Sequence, residues 1–290
     1  MTEKSSSELL LPSYFKIILA QKPYSKKLYS YTCDTIISNH DGSNIASQIT
    51  SNVTFAVVKA IENGKILVKF EILDTFINNT NSEGQKIAEM GKIFALPINK
   101  LILEVNAKGK IKEILNKVEI AEKWKDLFNN ISKGMDEQYK EKIKNEGDKD
   151  YLNPIKAIKG SFLHEIFFFP IFGIELNKNS AGRFNIDNRA KLLESISNDY
   201  TLTGKITHID NNTIIADYYD SYDDNFTLLS KARKVYGNLV PKKSNFHQEI
   251  RMLYQFDIHR SIPLNIDVHY IELIEGALKY RQISNIKLLS

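Results

Sequence analysis

Apolar and polar residues alternate with a period of two through most of this chain, and recur at helical spacing in only one long stretch. Residues 28–39 and 44–62 alternate loosely and are separated by the turn formers Asn39-His40-Asp41-Gly42-Ser43. Val53–Glu62 and Lys65–Phe76 flank Asn63-Gly64, a pair suited to the positive φ angles of a type I′ hairpin turn. Closing that turn with two residues sets Ile61 against Ile66, Val57 against Phe70 and Phe55 against Ile72 on a strongly apolar face. The opposite face, with Val58 against Lys69 and Ala56 against Glu71, is mixed, as in a sheet covered on one side.

A short helix is expected near Gln85–Leu96, ending before Pro97, and a second hairpin joins Leu101–Val105 to Ile111–Leu115. The helical stretch follows. Asn116 is placed to cap it with Glu119 three residues on, and Ile120, Trp124, Leu127, Phe128, Ile131, Met135 and Tyr139 form one stripe. Charges thicken towards Gly147, so residues 144–150 read as an exposed loop. A short helix at Pro154–Leu163 runs into Ile166–Phe172, the most apolar window of the chain. Beyond a polar loop (177–188) and a brief helix near Arg189–Ser197, strands resume at Tyr200–Ile209 and Thr213–Tyr222. Gln248–His259 and Leu264–Ile274 are separated by Pro263, and Ala277–Leu288 follows the turn Glu275-Gly276. A two-residue closure there places Val268 opposite Ile283, Ile271 opposite Tyr280 and Glu272 opposite Lys279.

About nine long strands in successive hairpins, interrupted by a helical insert at about 116–163, give an α+β fold that is mainly antiparallel β. Strands this long favour a curved sheet or half-barrel with the insert packed on it. Residues 1–25 read as a leader that can dock on the body, and residues 26–290 as one curved-sheet domain.

Charge narrows the function. The formal charge is +4, and the 39 basic residues include only six arginines, the side chain on which base and phosphate recognition lean. Between Lys100 and Lys159, 14 lysines interleave with 11 acidic residues, the pattern of a solvated helix face. Nucleic acid is therefore not an expected partner. No stretch approaches the ~20 apolar residues of a membrane-spanning helix. The run Leu9–Leu19 is broken by Pro12 and Lys16 and lacks the basic lead-in of a signal peptide. A cytoplasmic location is expected, or an extracytoplasmic one if an export signal has been removed.

Candidate chemistry is sparse. The phosphate-binding glycine motifs, the GxSxG elbow and HExxH are all missing. The single cysteine, Cys33, lies inside an expected strand without a neighbouring histidine, as a small core residue does. His164 runs straight into phenylalanines, and the other histidines are scattered. No catalytic residue, cofactor or transition-metal set is assigned, and the chain is not expected to be an enzyme.

Three local features remain. Asp217, Asp220, Asp223 and Asp224 form a run of carboxylates able to offer hard oxygen ligands to Ca²⁺, though without EF-hand spacing or its glycine. A strand end passing into an acidic loop is the plainer reading. The interleaved Tyr218, Tyr219 and Tyr222 supply rigid amphipathic area for a protein partner. Phe167, Phe168, Phe169 and Phe172 either pack as core or wall an apolar cavity at the mouth of the curved sheet.

The order of elements from Lys27 to Leu288 resembles the curved-sheet bacterial carriers of the LolA type. The segment Leu101–Leu127, with Gly109, Asn116 and Trp124 (strand, turn, Asn, amphipathic helix), is similar to related uncharacterised β-rich bacterial proteins. That resemblance implies an open half-barrel wrapping helices and sheltering hydrophobic cargo, outside the cytoplasm. Two readings follow. The first is a non-enzymatic binder of a protein partner, such as a secretion-system adaptor or chaperone or an immunity-type protein that neutralises a toxin. The alternative is a carrier of an acyl or lipid-like ligand in the concave face.

Overall fold

The computed structural model describes residues 14–16, 26–61, 65–106, 109–155, 158, 161–168, 175–177, 181–189, 191–193, 197–209, 212–224, 227–257, 259–260 and 262–290. In chain order the strands begin with β1 (Tyr14–Lys16), β2 (Lys27–Asn39), β3 (Asn44–Ile61) and β4 (Lys65–Asn79). Helix α1 (Ser82–Ala95) precedes β5 (Lys100–Asn106) and β6 (Ile111–Ile114). Helices α2 (Lys117–Ile131), α3 (Glu137–Tyr151) and α4 (Phe162–Phe167) come next, then β7 (Glu175–Asn177), β8 (Arg183–Arg189), β9 (Ser197–Ile209) and β10 (Thr213–Asp224). Helix α5 (Thr227–Tyr236) leads into β11 (Phe246–Asp257), β12 (Ile262–Ile274) and β13 (Leu278–Leu288).

Among the described residues, β1 and β7 pair with each other, and the other strands form one 11-stranded antiparallel sheet in the order β6-β5-β4-β3-β2-β13-β12-β11-β10-β9-β8. The fold is thus α+β and mainly antiparallel. Neighbours in this sheet are consecutive along the chain except at its centre, where β2 meets β13. The two edges, β6 and β8, are joined in sequence through α2–α4, so the helical insert carries the chain from one edge of an open sheet to the other.

The insert also reveals the curvature. Strands β4 and β11 lie five spacings apart, roughly 24 Å in a flat sheet. Yet Phe70 of β4 lies 5.4 Å from the Phe167 ring, and Tyr254 of β11 donates its hydroxyl to the Ile166 carbonyl at 2.8 Å. Adjacent residues of one helix, ~10 Å across, touch both strands, so the sheet bends around α4. Alternation decides which side is concave. Phe246, Gln248, Ile250, Met252, Tyr254 and Phe256 of β11 are all buried, while the residues between them reach solvent in part or fully.

Several sequence expectations shift. The first long hairpin forms, but Ile61 pairs with Lys65 rather than Ile66, which leaves three residues in the connection; the Asn63-Gly64 turn itself lies outside the described residues. Extra residues at Val58 on β3 and Leu73 on β4 shift the register further, so Phe55 faces Phe70 and Val57 faces Val68. The last hairpin differs in the same way. Gly276 takes φ 72°, three residues close the turn, Glu272 pairs with Tyr280, and the expected Glu272–Lys279 pair does not form. Pro263 lies within β12 beside a one-residue irregularity, where its missing N–H breaks no regular ladder.

The long helix is split at Ser132–Asp136, where Gly134 has φ 81°, and residues 144–150 belong to α3 rather than to a loop. What binds α3 to α2 is Trp124. It donates Nε1–H to Asp148 at 2.9 Å and stacks on Tyr151 at 4.8 Å; a Cβ at Gly147 would fall 2.0 Å from its ring. Met135 falls in the break, and Tyr139 starts α3 exposed. Asn116 does not cap α2 with its side chain. Its Oδ1 accepts from Ile102 N and its Nδ2 donates to Lys100 O, both at 2.9 Å, which continues the pairing of β5 past the end of β6. Part of the expected polar loop is strand β8, and α5 arises where no element was expected.

Candidate functional site

The concave face around α4 holds a cluster of contacting aromatic rings. Ser161 precedes the helix without a side-chain cap, and the helix stops at Phe168, whose N–H bonds the His164 carbonyl at 2.9 Å. Phe167 meets Phe55 at 5.0 Å, Tyr29 at 5.2 Å and Phe70 at 5.4 Å, all with rings steeply inclined. Phe168 reaches Phe70 at 5.6 Å and Phe55 at 5.8 Å. These inclined pairs suit the ring quadrupoles and anchor α4 to three strands of the floor.

Within this apolar setting, two polar groups have no partner. His164 is fully buried, its ring 4.8 Å from Phe70, and neither Nδ1 nor Nε2 makes a hydrogen bond. Burial holds its pKa down at about 4, so the imidazole is neutral at neutral pH. The Tyr29 hydroxyl, buried on β2, is likewise unpaired, and burial pushes its pKa well up. Both groups border the same Phe70–Phe167 contact, Tyr29 against Phe167 and His164 against Phe70.

A second buried polar cluster, on β11–β12, is the reverse. Glu272, with no exposed surface, accepts from the backbone N–H groups of Lys191 and Leu192 at 2.6 Å each, from Gln248 at 3.0 Å and from the Tyr270 hydroxyl. The Tyr236 hydroxyl donates to the Leu192 carbonyl at 2.6 Å. These bonds fasten residues 191–193 and α5 over a separate small core that includes Leu192, Leu193, Leu229 and Phe246.

The predicted site residues are dispersed. Asp217 is buried on the outer face under a two-pronged contact with Arg251, at 3.0 and 2.7 Å, which raises the arginine's pKa. Asp220 accepts from Thr201 N at 2.9 Å, and Asp223 contacts His247 Nδ1 at 2.7 Å. Strand alternation sends Asp217 and Asp223 to one face and Asp220 to the other, so these three carboxylates do not converge, and the Asp224 side chain lies outside those described. Tyr218 is not available to a partner: it is fully buried and donates to the Ala181 carbonyl at 3.1 Å. Tyr219 and Tyr222 are exposed. Phe167 and Phe168 are packed on the floor, while Phe169 and Phe172 lie outside the described residues. Cys33 is buried on β2.

His164 and Tyr29 were not singled out by sequence reasoning. The one available signal was a histidine entering the most apolar window of the chain. Elsewhere, a groove of about 490 Å³ lies by Thr54, Ala56, Val58 and Lys69, which alternate with the core-facing Phe55, Val57 and Phe70. It is on the other side of the sheet from α4. No described helix is long and apolar enough to cross a membrane.

No protein-family model matches the chain, and no curated protein matches it. Several solved structures are similar in part. One is described as lipid-protein interactions in lipovitellin, with TM-score 0.47 and 9% identity over 93% of this chain and 25% of that one. This chain therefore spans about a quarter of the length of the lipovitellin chain. Another is a putative AttH from Nitrosomonas europaea, with TM-score 0.12 and 6% identity over 90% of this chain and 92% of that one. At these scores neither likeness bears on what the chain does. What the structure shares with the LolA-type resemblance is a large open antiparallel sheet, and no family is assigned.

Proposed function

We propose that the chain is a non-catalytic binding protein that takes an apolar ligand in the concave face of its sheet. The observation that carries this reading is the pairing of an extensive apolar floor with a small cover. Tyr29, Phe55, Phe70 and Tyr254 come from strands on both sides of the central β2–β13 seam, yet all contact one six-residue helix. A helix of that length has little internal cooperativity and is held by its side chains. Sliding an acyl chain between α4 and the floor exchanges one apolar contact for another and exposes little new surface. The test is titration of the full chain with Nile red, a neutral apolar dye. Saturable binding near one dye per chain, strengthened by Phe55→Ala, supports the reading; the absence of saturable binding in both proteins overturns it.

A second reading, recognition of a protein partner, rests on α1. Asn81 caps this helix through bonds to Glu83 N at 2.8 Å and Gly84 N at 3.2 Å. It faces β4 with small residues: Gly91 and Ala95 line the crevice beside Leu73 and Thr75, and Gly84 sits against Asn79. Ile87, Met90, Ile93 and Leu96 are left exposed, Ile87 at 71%. Exposed apolar ridges of this kind often mark interaction surfaces. Ile87→Asp combined with Met90→Asp leaves the core intact and is expected to abolish any complex formed by the native chain; a chain that stays solitary at physiological concentration overturns this reading.

A further inference from the structure

We propose that the ligand's polar end is uncharged and hydrogen-bonding, as in a fatty alcohol or monoacylglycerol, and that Tyr29 and His164 receive it beside the Phe70–Phe167 contact. This rests on the apolar-ligand reading and assigns that site its chemistry. Buried polar groups are almost always paired, so two orphans flanking one aromatic contact mark a place where hydrogen-bonding groups are missing. The Tyr29 hydroxyl can donate and accept, and a neutral imidazole has one donor and one acceptor nitrogen. Between them they match a hydroxyl or ester group, which also donates, accepts or both.

The same surroundings discriminate against a carboxylate. Among the residues whose burial is described, no lysine or arginine is buried. Glu272, the one buried carboxylate on the inner face among the residues whose burial is described, has four donors of its own and none to spare. A fatty-acid anion between Tyr29 and His164 would be desolvated without a counter-charge. An alcohol loses far less hydration and regains its bonds.

The experiment measures equilibrium binding of 1-dodecanol, dodecane and dodecanoate to the full chain and to Tyr29→Phe and His164→Leu. Tyr29→Phe removes a single oxygen, so a loss of folding in the histidine variant does not leave the question without an answer. Expected are ~10-fold tighter binding of the alcohol than of the alkane or the anion, and a fall of about that size in each folded variant. Alkane binding should be unchanged. If the alkane binds as tightly as the alcohol, or dodecanoate binds best, or Tyr29→Phe leaves alcohol affinity unaltered, this inference is overturned while the apolar-ligand reading stands. If none of the three compounds binds, the apolar-ligand reading itself falls, and this assignment with it.

Discussion

Two buried polar sets share the inner face of one sheet and have opposite characters. Around Glu272 the carboxylate's capacity is met by two backbone N–H groups, an amide and a hydroxyl, and the set fastens a loop and α5 to the strands. Around α4, the Tyr29 hydroxyl and both His164 nitrogens are buried with nothing to bond. A satisfied network rigidifies, whereas an unsatisfied one lowers stability and persists only where something else selects for it. Polar groups that the fold leaves unmet are therefore where a ligand is expected to bind.

The sharpest way to break the contrast is Glu272→Ala. It removes the shared acceptor of two backbone N–H groups, the Gln248 amide and the Tyr270 hydroxyl in a dry site, and is expected to cost about 3–5 kcal/mol, read as a lower urea midpoint. Hydrogen-exchange protection should fall first in residues 191–193 and α5. The next effect concerns pH. The His164 pKa lies at about 4 in the folded chain against 6.5 when free, so the unfolded chain takes up this proton first as pH falls. Through this group the folded state therefore loses about 3 kcal/mol as pH falls from ~6.5 towards ~4, and nothing further above ~6.5. His164→Leu should flatten the stability profile across that window; an unchanged slope would mean that the imidazole finds a partner in solution. At neutral pH the same variant replaces an unpaired imidazole by an apolar group and should raise stability by about 1–3 kcal/mol, seen as a higher Tm. Smallest of all, Tyr29→Phe should shift stability by no more than about 1 kcal/mol, in the stabilising direction.

Much of the architecture was legible residue by residue. The strands read at Gln248–His259 and Ala277–Leu288 form at Phe246–Asp257 and Leu278–Leu288, each with one buried side, and Trp124 in its helical stripe marks the insert's core contact. Register was less legible. Three-residue turns and extra residues at Val58 and Leu73 move each partner by a position, and such irregularities depend on how strands twist against one another. The site was least legible. The acidic Asp217–Asp224 run looked like chemistry, but a strand divides its carboxylates between two faces, and Tyr218 turned inward to the Ala181 carbonyl. His164 looked like an ordinary neighbour of phenylalanines.

The sequence alone encodes local matters: the period of burial and the places where the chain reverses. These follow from side-chain hydrophobicity and backbone sterics within a few residues. Only the tertiary structure decided that β2 and β13 close the centre, that the insert crosses between the sheet's edges, and that Glu272 is met while Tyr29 and His164 are not. Hydrogen-bond satisfaction belongs to neighbours brought together from distant strands, and no local pattern encodes what those neighbours will lack.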